Sequence, residues 1–224
     1  MYVIVVGAGA IGSQVIEMAI EGGNEVVVIE KDEDVADVAA SQYDCLVLSA
    51  DATVVENLED AGADRADAII STTDVDATNI MVMLLAQDLG IPSLVSVVHE
   101  PEHMNVFRKI GVNVLENPQR LIAEYLYRAV QRPAVEDFMH LAGGAEIFEI
   151  TVDRNAPIAG KTLEAADSEG LIDGDVLVVA VERNDDVLTP RGGTEIRAGD
   201  IVTVFSKRGF ASDVMGTFSG KEQG

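Results

Sequence analysis

A fully apolar run, Tyr2 to Val6, leads directly into Gly7-Ala8-Gly9-Ala10-Ile11-Gly12, and a helical pattern opens from there. The G-x-G-x-x-G spacing constrains the fold because each glycine answers a different steric demand. Gly7 permits a tight turn after the strand, Gly9 lets a pyrophosphate approach the backbone, and Gly12 lets the helix pack on the strand. The helix start offers free N–H groups to the anion. The helix over Ile11 to Glu21 stops at Gly22-Gly23, and a buried strand, Glu25 to Ile29, follows. Glu30 stands at the end of that strand, roughly 20 residues beyond the glycines, where a carboxylate accepts hydrogen bonds from a ribose diol. A carboxylate there repels a 2′-phosphate, so NAD or an adenine mononucleotide is preferred over NADP. Ala10 and Ile11 inside the turn, and Lys31 after Glu30, complete the first set of candidate residues.

Strand and helix periods then alternate: a helix around Asp34 to Ala40, a strand Cys45 to Leu48, a helix Val54 to Ala61 and a strand Ala68 to Ile70. A long helix Ala77 to Leu89, a strand Leu94 to Val98, a helix Glu102 to Ile110 and a strand Val112 to Leu115 continue the pattern. Apolar strands alternating with helices predict a parallel sheet covered on both faces, here a Rossmann-like doubly wound α/β domain, six-stranded, over residues 1–133. After Asn117-Pro118, a helix over about 119–131 carries Leu121, Ile122, Tyr125, Leu126, Ala129 and Val130. That wide apolar stripe needs a partner once the sheet is complete, and a second copy of the chain is the favoured one.

Beyond Arg132-Pro133 the texture changes to a small α+β domain, 134–218. It is read as a strand Glu146 to Val152, a short helix Thr162 to Asp167, a strand Asp175 to Arg183, a turn at Asn184-Asp185-Asp186, a strand Ile201 to Phe205 and a helix near Phe210 to Met215. The tail, 219–224, is expected to be disordered.

The 39 acidic residues outnumber 15 basic ones, giving a net charge of −24, and they are spread through every segment. Such a surface repels a nucleic-acid backbone and suits a salt-rich, halophilic cytoplasm, where screening is strong. No apolar run reaches the ~18 residues of a membrane span, so direct membrane insertion is not expected. The first residues enter a strand with no basic lead, so no signal peptide is expected. The single cysteine, Cys45, fits a reducing compartment.

Other motifs carry less. His99-Glu100-Pro101-Glu102-His103 matches H-E-x-x-H, but Pro101 belongs in a first helical turn and leaves His99 outside the helix, which breaks the i, i+4 geometry a zinc site needs. Cys45 reads as an inert residue of a buried strand, Met81 and Met83 as core filling, and Asp137 and His140 as a solvated linker. Lys207-Arg208 is too small to be a basic patch. Neither a Tyr-x-x-x-Lys pair nor a well-placed histidine supplies the acid or base of hydride transfer, so an NAD-dependent oxidoreductase is the weaker reading and no catalytic residue is assigned.

The glycine turn, Glu30, Asp51-Ala52-Thr53 and Thr72-Thr73-Asp74 to Asn79, with Gly160-Lys161-Thr162-Leu163, Leu188-Thr189-Pro190 and Gly199-Asp200-Ile201-Val202, resemble the TrkA regulators of Trk potassium uptake systems, within the RCK or KTN family. The likeness runs from Val3 to about Met215. It implies a Rossmann domain that binds NAD(H), ADP, AMP or ATP, followed by an RCK C-terminal α+β domain. It also implies a homodimer assembling into a tetrameric or octameric ring, docked on the cytoplasmic face of a membrane-embedded potassium-translocating subunit. By position, Gly7, Gly9 and Gly12 would line the phosphates, Glu30 the ribose, Asp51 and Ala52 the adenine edge, and Thr72 and Thr73 the rim near the phosphates. For Asp51 there is a physical reason too, since its carboxylate or carbonyl can accept the adenine amino group. Ala10 and Val97 stand where family members carry a basic residue, which weakens ATP relative to NAD, ADP or AMP. Gln119 stands where some relatives have a glutamate associated with an interfacial cation, so no metal is expected there. A sensor subunit of a different transporter is a further reading.

Overall fold

A computed structural model of the chain describes residues 1–114, 117–131, 135–209 and 212–219. The chain divides into two compact units, with the boundary after Glu124.

In the first unit the elements are β1 (Tyr2–Val6), α1 (Ala10–Glu21), β2 (Glu25–Glu30), α2 (Glu33–Gln42), β3 (Leu46–Ser49), α3 (Val55–Asp60), β4 (Ala68–Ser71), α4 (Asp76–Asp88) and β5 (Ser93–Ser96). A 3₁₀ turn, Pro101–His103, then runs into α5 (Met104–Ile110), followed by β6 (Asn113–Val114). The six strands lie in the order β3-β2-β1-β4-β5-β6, all parallel. Central strands buried on both faces must be apolar at every position. All five residues of β1 are buried, and they alternate between two cores. Tyr2, Ile4 and Val6 join Val27, Ile29, Leu58 and Phe107 on one face, while Val3 and Val5 join Ile16, Val26 and Val28 on the other. Strand order reverses between β1 and β4, and in sheets of this kind that switch point opens a crevice at the carboxyl ends of the strands.

The chain continues into α6 (Pro118–Gln131), capped by Asn117, whose Oδ1 accepts from the Arg120 N–H at 3.0 Å. Proline in the first turn replaces a donor that has no intrahelical partner anyway. Leu121, Ile122, Leu126 and Val130 on this helix are 61%, 59%, 61% and 81% exposed.

The second unit contains β7 (Val135–His140), β8 (Glu146–Thr151), α7 (Leu163–Ser168), β9 (Val176–Arg183), β10 (Asp186–Leu188), β11 (Ile201–Ser206) and α8 (Ser212–Ser219). Its sheet is antiparallel, ordered β10-β9-β11-β8-β7. Alternate residues of β8, β9 and β11 point into one core, where Phe148, Ile150, Val178, Val202 and Val204 meet Ile158, Ile196 and Phe218. Asn184 and Asp185 join β9 to β10 with φ of 54° and 62°. A two-residue hairpin loop of type I′ demands positive φ at both positions, and Asn and Asp tolerate it best among residues with a Cβ.

Several element readings change. The region expected to be a linker, with Asp137 and His140, is the edge strand β7, and the Asp186 end of the expected turn begins β10. β3 starts one residue later than expected, so Cys45 precedes it in a bend and is half-buried rather than inside a buried strand. Ser219, placed in a disordered tail, is the last residue of α8, while 220–224 fall outside the described residues. So do Leu115, Arg132-Pro133 and the Phe210 start of the last helix.

Candidate functional site

Gly7 leaves β1 with φ +92°, a conformation that side chains with a Cβ rarely adopt. A Cβ on Gly12 would stand 2.0 Å from the Gly7 carbonyl oxygen, so α1 can start this close to the strand only with glycine there. Gly9 is different: its φ is an ordinary −69°, and a Cβ on it would meet no protein atom within 4 Å. Gly9 and Ala10 are exposed, and Ile11 is half-buried. The first turn of α1 has neither a side-chain cap nor an acidic residue, so its N–H groups have no carboxylate of their own helix to satisfy them.

Two side chains hold the turn from opposite flanks. Glu30 accepts from the Ala8 N–H through Oε2 at 2.7 Å and from the Asp32 N–H through Oε1 at 2.9 Å. Thr72, buried just beyond β4, donates its hydroxyl toward the Gly7 and Val6 carbonyls at 3.0 and 3.1 Å. Each carboxylate oxygen can accept more than one hydrogen bond, so Glu30 retains acceptor capacity for a diol.

Further along the crevice, Lys31 Nζ is 2.7 Å from Asp51 Oδ2. Asp51 Oδ1 accepts from the Thr53 N–H and hydroxyl at 2.9 and 2.6 Å, and its backbone carbonyl accepts from Asn57 Nδ2 at 2.8 Å. The Lys31 ammonium and the two Thr53 donors bring the Asp51 carboxyl down to about 2. Asp51 therefore organises the loop after β3, and an adenine amino group would have to share acceptors already in use. Ala52 packs into the first core and is buried. Thr73, half-buried, donates its hydroxyl to Asn79 Oδ1 at 2.7 Å rather than toward the glycine turn.

Sequence reasoning did not single out the polar cluster behind this rim. Asn79 Oδ1 also accepts from the Ser71 hydroxyl at 2.7 Å, and its Nδ2 donates to the Thr73 carbonyl at 2.9 Å. Asp76, the first residue of α4 and buried, accepts from the His99 N–H at 2.8 Å, the Glu100 N–H at 2.9 Å and His103 Nδ1 at 2.8 Å. Burial pushes the Asp76 carboxyl up, but the His99 N–H, the His103 ring and the Glu100 N–H outweigh it and hold it below the usual carboxylate range. The His103 imidazole is in turn raised, chiefly by its bond to Asp76. His99 lies before the 3₁₀ turn and His103 ends it, so the two histidines of H-E-x-x-H do not share a helix. The available signal was the pair Asp76 and Asn79, polar residues on the face of α4 that the apolar pattern turns inward.

The profile of the TrkA-N domain matches residues 3–118, and that of the TrkA-C domain matches residues 147–214. A curated "Trk system potassium uptake protein TrkA homolog" of Methanothermobacter thermautotrophicus is 29% identical over 98% of this chain and 100% of its own length. Among solved structures, the fold is similar to "GsuK channel bound to NAD", with a TM-score of 0.67 and 20% identity, over 97% of this chain but only 39% of that longer one. "Crystal structure of the GsuK bound to ADP" is similar over 56% of this chain and 33% of that one, with a TM-score of 0.51 and 23% identity.

Proposed function

The chain belongs to the TrkA family, with both a TrkA-N and a TrkA-C domain, and on that premise we propose that it is the nucleotide-binding regulatory subunit of a potassium uptake system. The observation that carries the reading is the uncapped start of α1 at the β1–β4 switch point, flanked by Glu30. NAD(H) is the proposed ligand, with ADP second. Gly9, Ala10, Ile11 and Gly12 would cradle the pyrophosphate on backbone N–H groups, Gly7, whose own N–H donates to the Ile29 carbonyl at 2.9 Å, would line it through its turn, and Glu30 would take the ribose hydroxyls. Lys31, Asp51 and Ala52 would border the adenine, and Thr72 and Thr73 would shape the rim. The structurally similar GsuK proteins, solved with NAD and with ADP bound, support that choice of ligand. Ala10 and Val97 place no cation in the crevice, which favours a pyrophosphate over a triphosphate.

In this reading the bound nucleotide acts as a signal and not as a substrate, which the two TrkA domains and the curated TrkA relative of the same length support. The proposed domains are 1–133 and 134–218; the two compact units divide earlier, after Glu124 within α6. The exposed stripe of α6 is the proposed seam of a homodimer, and dimers would build the ring that meets a membrane-embedded potassium-translocating subunit from the cytoplasmic side. Among the described residues no helix is long and apolar enough to cross a membrane, so that partner supplies the pathway. Occupancy can bias the partner only through different affinities for two arrangements of the dimer, and a coupling of about 1–3 kcal/mol is typical. The test is rubidium uptake into proteoliposomes holding a Trk-type membrane subunit and this chain, with and without NAD(H) in concentrated KCl. A nucleotide-dependent change in uptake that needs this chain supports the reading; uptake indifferent to the chain or to nucleotide refutes it.

A further inference from the structure

We propose that His99 is a positioning residue that links nucleotide occupancy of the crevice to the first turn of α6, an inference that rests on the nucleotide reading above. All four polar groups of this one residue are engaged, and they reach in different directions. The imidazole Nε2 is 3.0 Å from the Thr73 carbonyl, which can only accept, so Nε2 carries the proton. The other ring nitrogen, Nδ1, is then the acceptor that faces Gln119 Nε2 at 3.3 Å. The His99 N–H donates to Asp76 Oδ1 at 2.8 Å, and the His99 carbonyl accepts from Asn117 Nδ2.

Thr73 and Asp76 belong to the loop and helix start that follow β4, on the rim of the crevice. Asn117 and Gln119 form the cap and first turn of α6. His99 is half-buried between them, and its backbone is set by local chemistry. Pro101 keeps Glu100 extended, at φ −103° and ψ 120°, and this presents the consecutive N–H groups of His99 and Glu100 to the buried Asp76 carboxylate. The neighbouring Thr72 hydroxyl is bonded to the Gly7 carbonyl, so an anion that draws the glycine turn and the β4 loop together moves the Thr73 carbonyl. That carbonyl is held by His99 on one side and Asn79 on the other. A displacement there carries the imidazole with it or breaks its bond, and either event reaches Gln119. The first turns of α6 lie in the first unit and its remainder in the second, so the helix base is where a change in the crevice can be handed on.

The experiment is hydrogen exchange on the full chain with and without saturating NAD, read at the amides of residues 117–124, alongside calorimetric NAD affinity. In the wild type, NAD changes exchange in this segment about fivefold or more, whereas His99→Ala binds NAD within about threefold of wild type yet loses the change. Gln119→Leu cuts the link from the helix side, leaves the crevice untouched and gives the same loss, which keeps the inference testable if His99→Ala does not fold. A response in α6 that survives in Gln119→Leu or in folded His99→Ala overturns the link. Loss of NAD binding in folded His99→Ala also overturns it, making His99 part of the crevice. A wild type that binds NAD without a change at 117–124 refutes the link alone, while one that binds no nucleotide refutes the underlying reading as well.

Discussion

Among the described residues, the buried polar side chains of the first unit, Ser71, Thr72, Asp76, Asn79 and Ser96, all lie at or just beyond the carboxyl ends of β4 and β5, whereas those of the second, Glu146, Asp200, Ser206 and Thr217, are spread over separate strand and helix positions. In the second unit the paired ones act as clasps. Asp200 accepts from Arg183 Nε and Nη2, each at 2.7 Å, and from the Arg197 N–H, and Glu146 meets His140 at 3.0 Å. Burial raises the Asp200 carboxyl, yet the Arg183 guanidinium and the Arg197 N–H more than offset this and hold it low. Such pairs secure a hairpin or a strand end. In the first unit Ser71 and Asn79 bond one another, while Thr72, Asp76 and Ser96 are satisfied by backbone groups of the same strand ends and by His103, and together they leave a pre-formed rim beside an uncapped helix. Satisfied polar networks are rigid, so polarity gathered at one end of a sheet fixes the rim on which the proposed nucleotide site rests, while the same polarity dispersed fastens separate parts of a fold.

That contrast can be broken first at the cores. Phe148 is fully buried in the core cluster of the second unit, so Phe148→Ala should destabilise that unit by about 3–5 kcal/mol. Calorimetry should show a separate low-temperature transition while NAD affinity stays within about twofold. A lost affinity would mean the crevice depends on the second unit's packing. Next in size, Glu30→Ala removes a charged acceptor from the crevice and should weaken NAD by about 1.5–3 kcal/mol, roughly 10- to 150-fold, while weakening NADP much less. Equal losses for both dinucleotides in a titration would show that Glu30 only holds the Ala8 N–H.

The smallest effect concerns Asp76 and His103. His103, raised from its ordinary 6.5, contributes stability fully present below that value and lost as pH rises through the raised one. Asp76, lowered from 3.8, contributes stability present above that value and lost as pH falls through the lowered one. The pair is therefore at full strength between these two ordinary values. Because His103 is 40% exposed on its side chain, solvent screens much of the gain. Melting temperatures of wild type and His103→Phe should differ most near pH 5–6 and converge in the alkaline range; a constant offset would leave the ion pair without a role.

The parts of the fold that were legible in the sequence are contiguous ones. β1, the glycine turn, α1, β2 and Glu30 follow one another, so local sterics and alternation suffice to read them. β7 was missed because Glu136, Asp137 and His140 give an edge strand a linker's composition, and a register irregularity between Val135 and Asp137 interrupts its alternation. The polar cluster escaped for another reason. Asp76 and His99 are 23 residues apart, and only the pairing of β4 with β5 brings the ends of those strands together. Asp51 shows what position alone does not tell: its turn to Thr53 and its pair with Lys31 are visible only in the folded loop.

Gly9 separates recognition from folding most cleanly, because it is the N-cap of α1 in an extended conformation with open space where a side chain would go. Aspartate is a favoured N-cap, so Gly9→Asp should melt at the wild-type temperature or slightly above it. Its carboxylate would then occupy the place of a phosphate and repel one, lowering NAD affinity by about 100-fold or more in a calorimetric titration. A Gly9→Asp protein that is well folded and binds NAD as tightly as wild type would contradict the account, because the glycine turn would then hold no nucleotide.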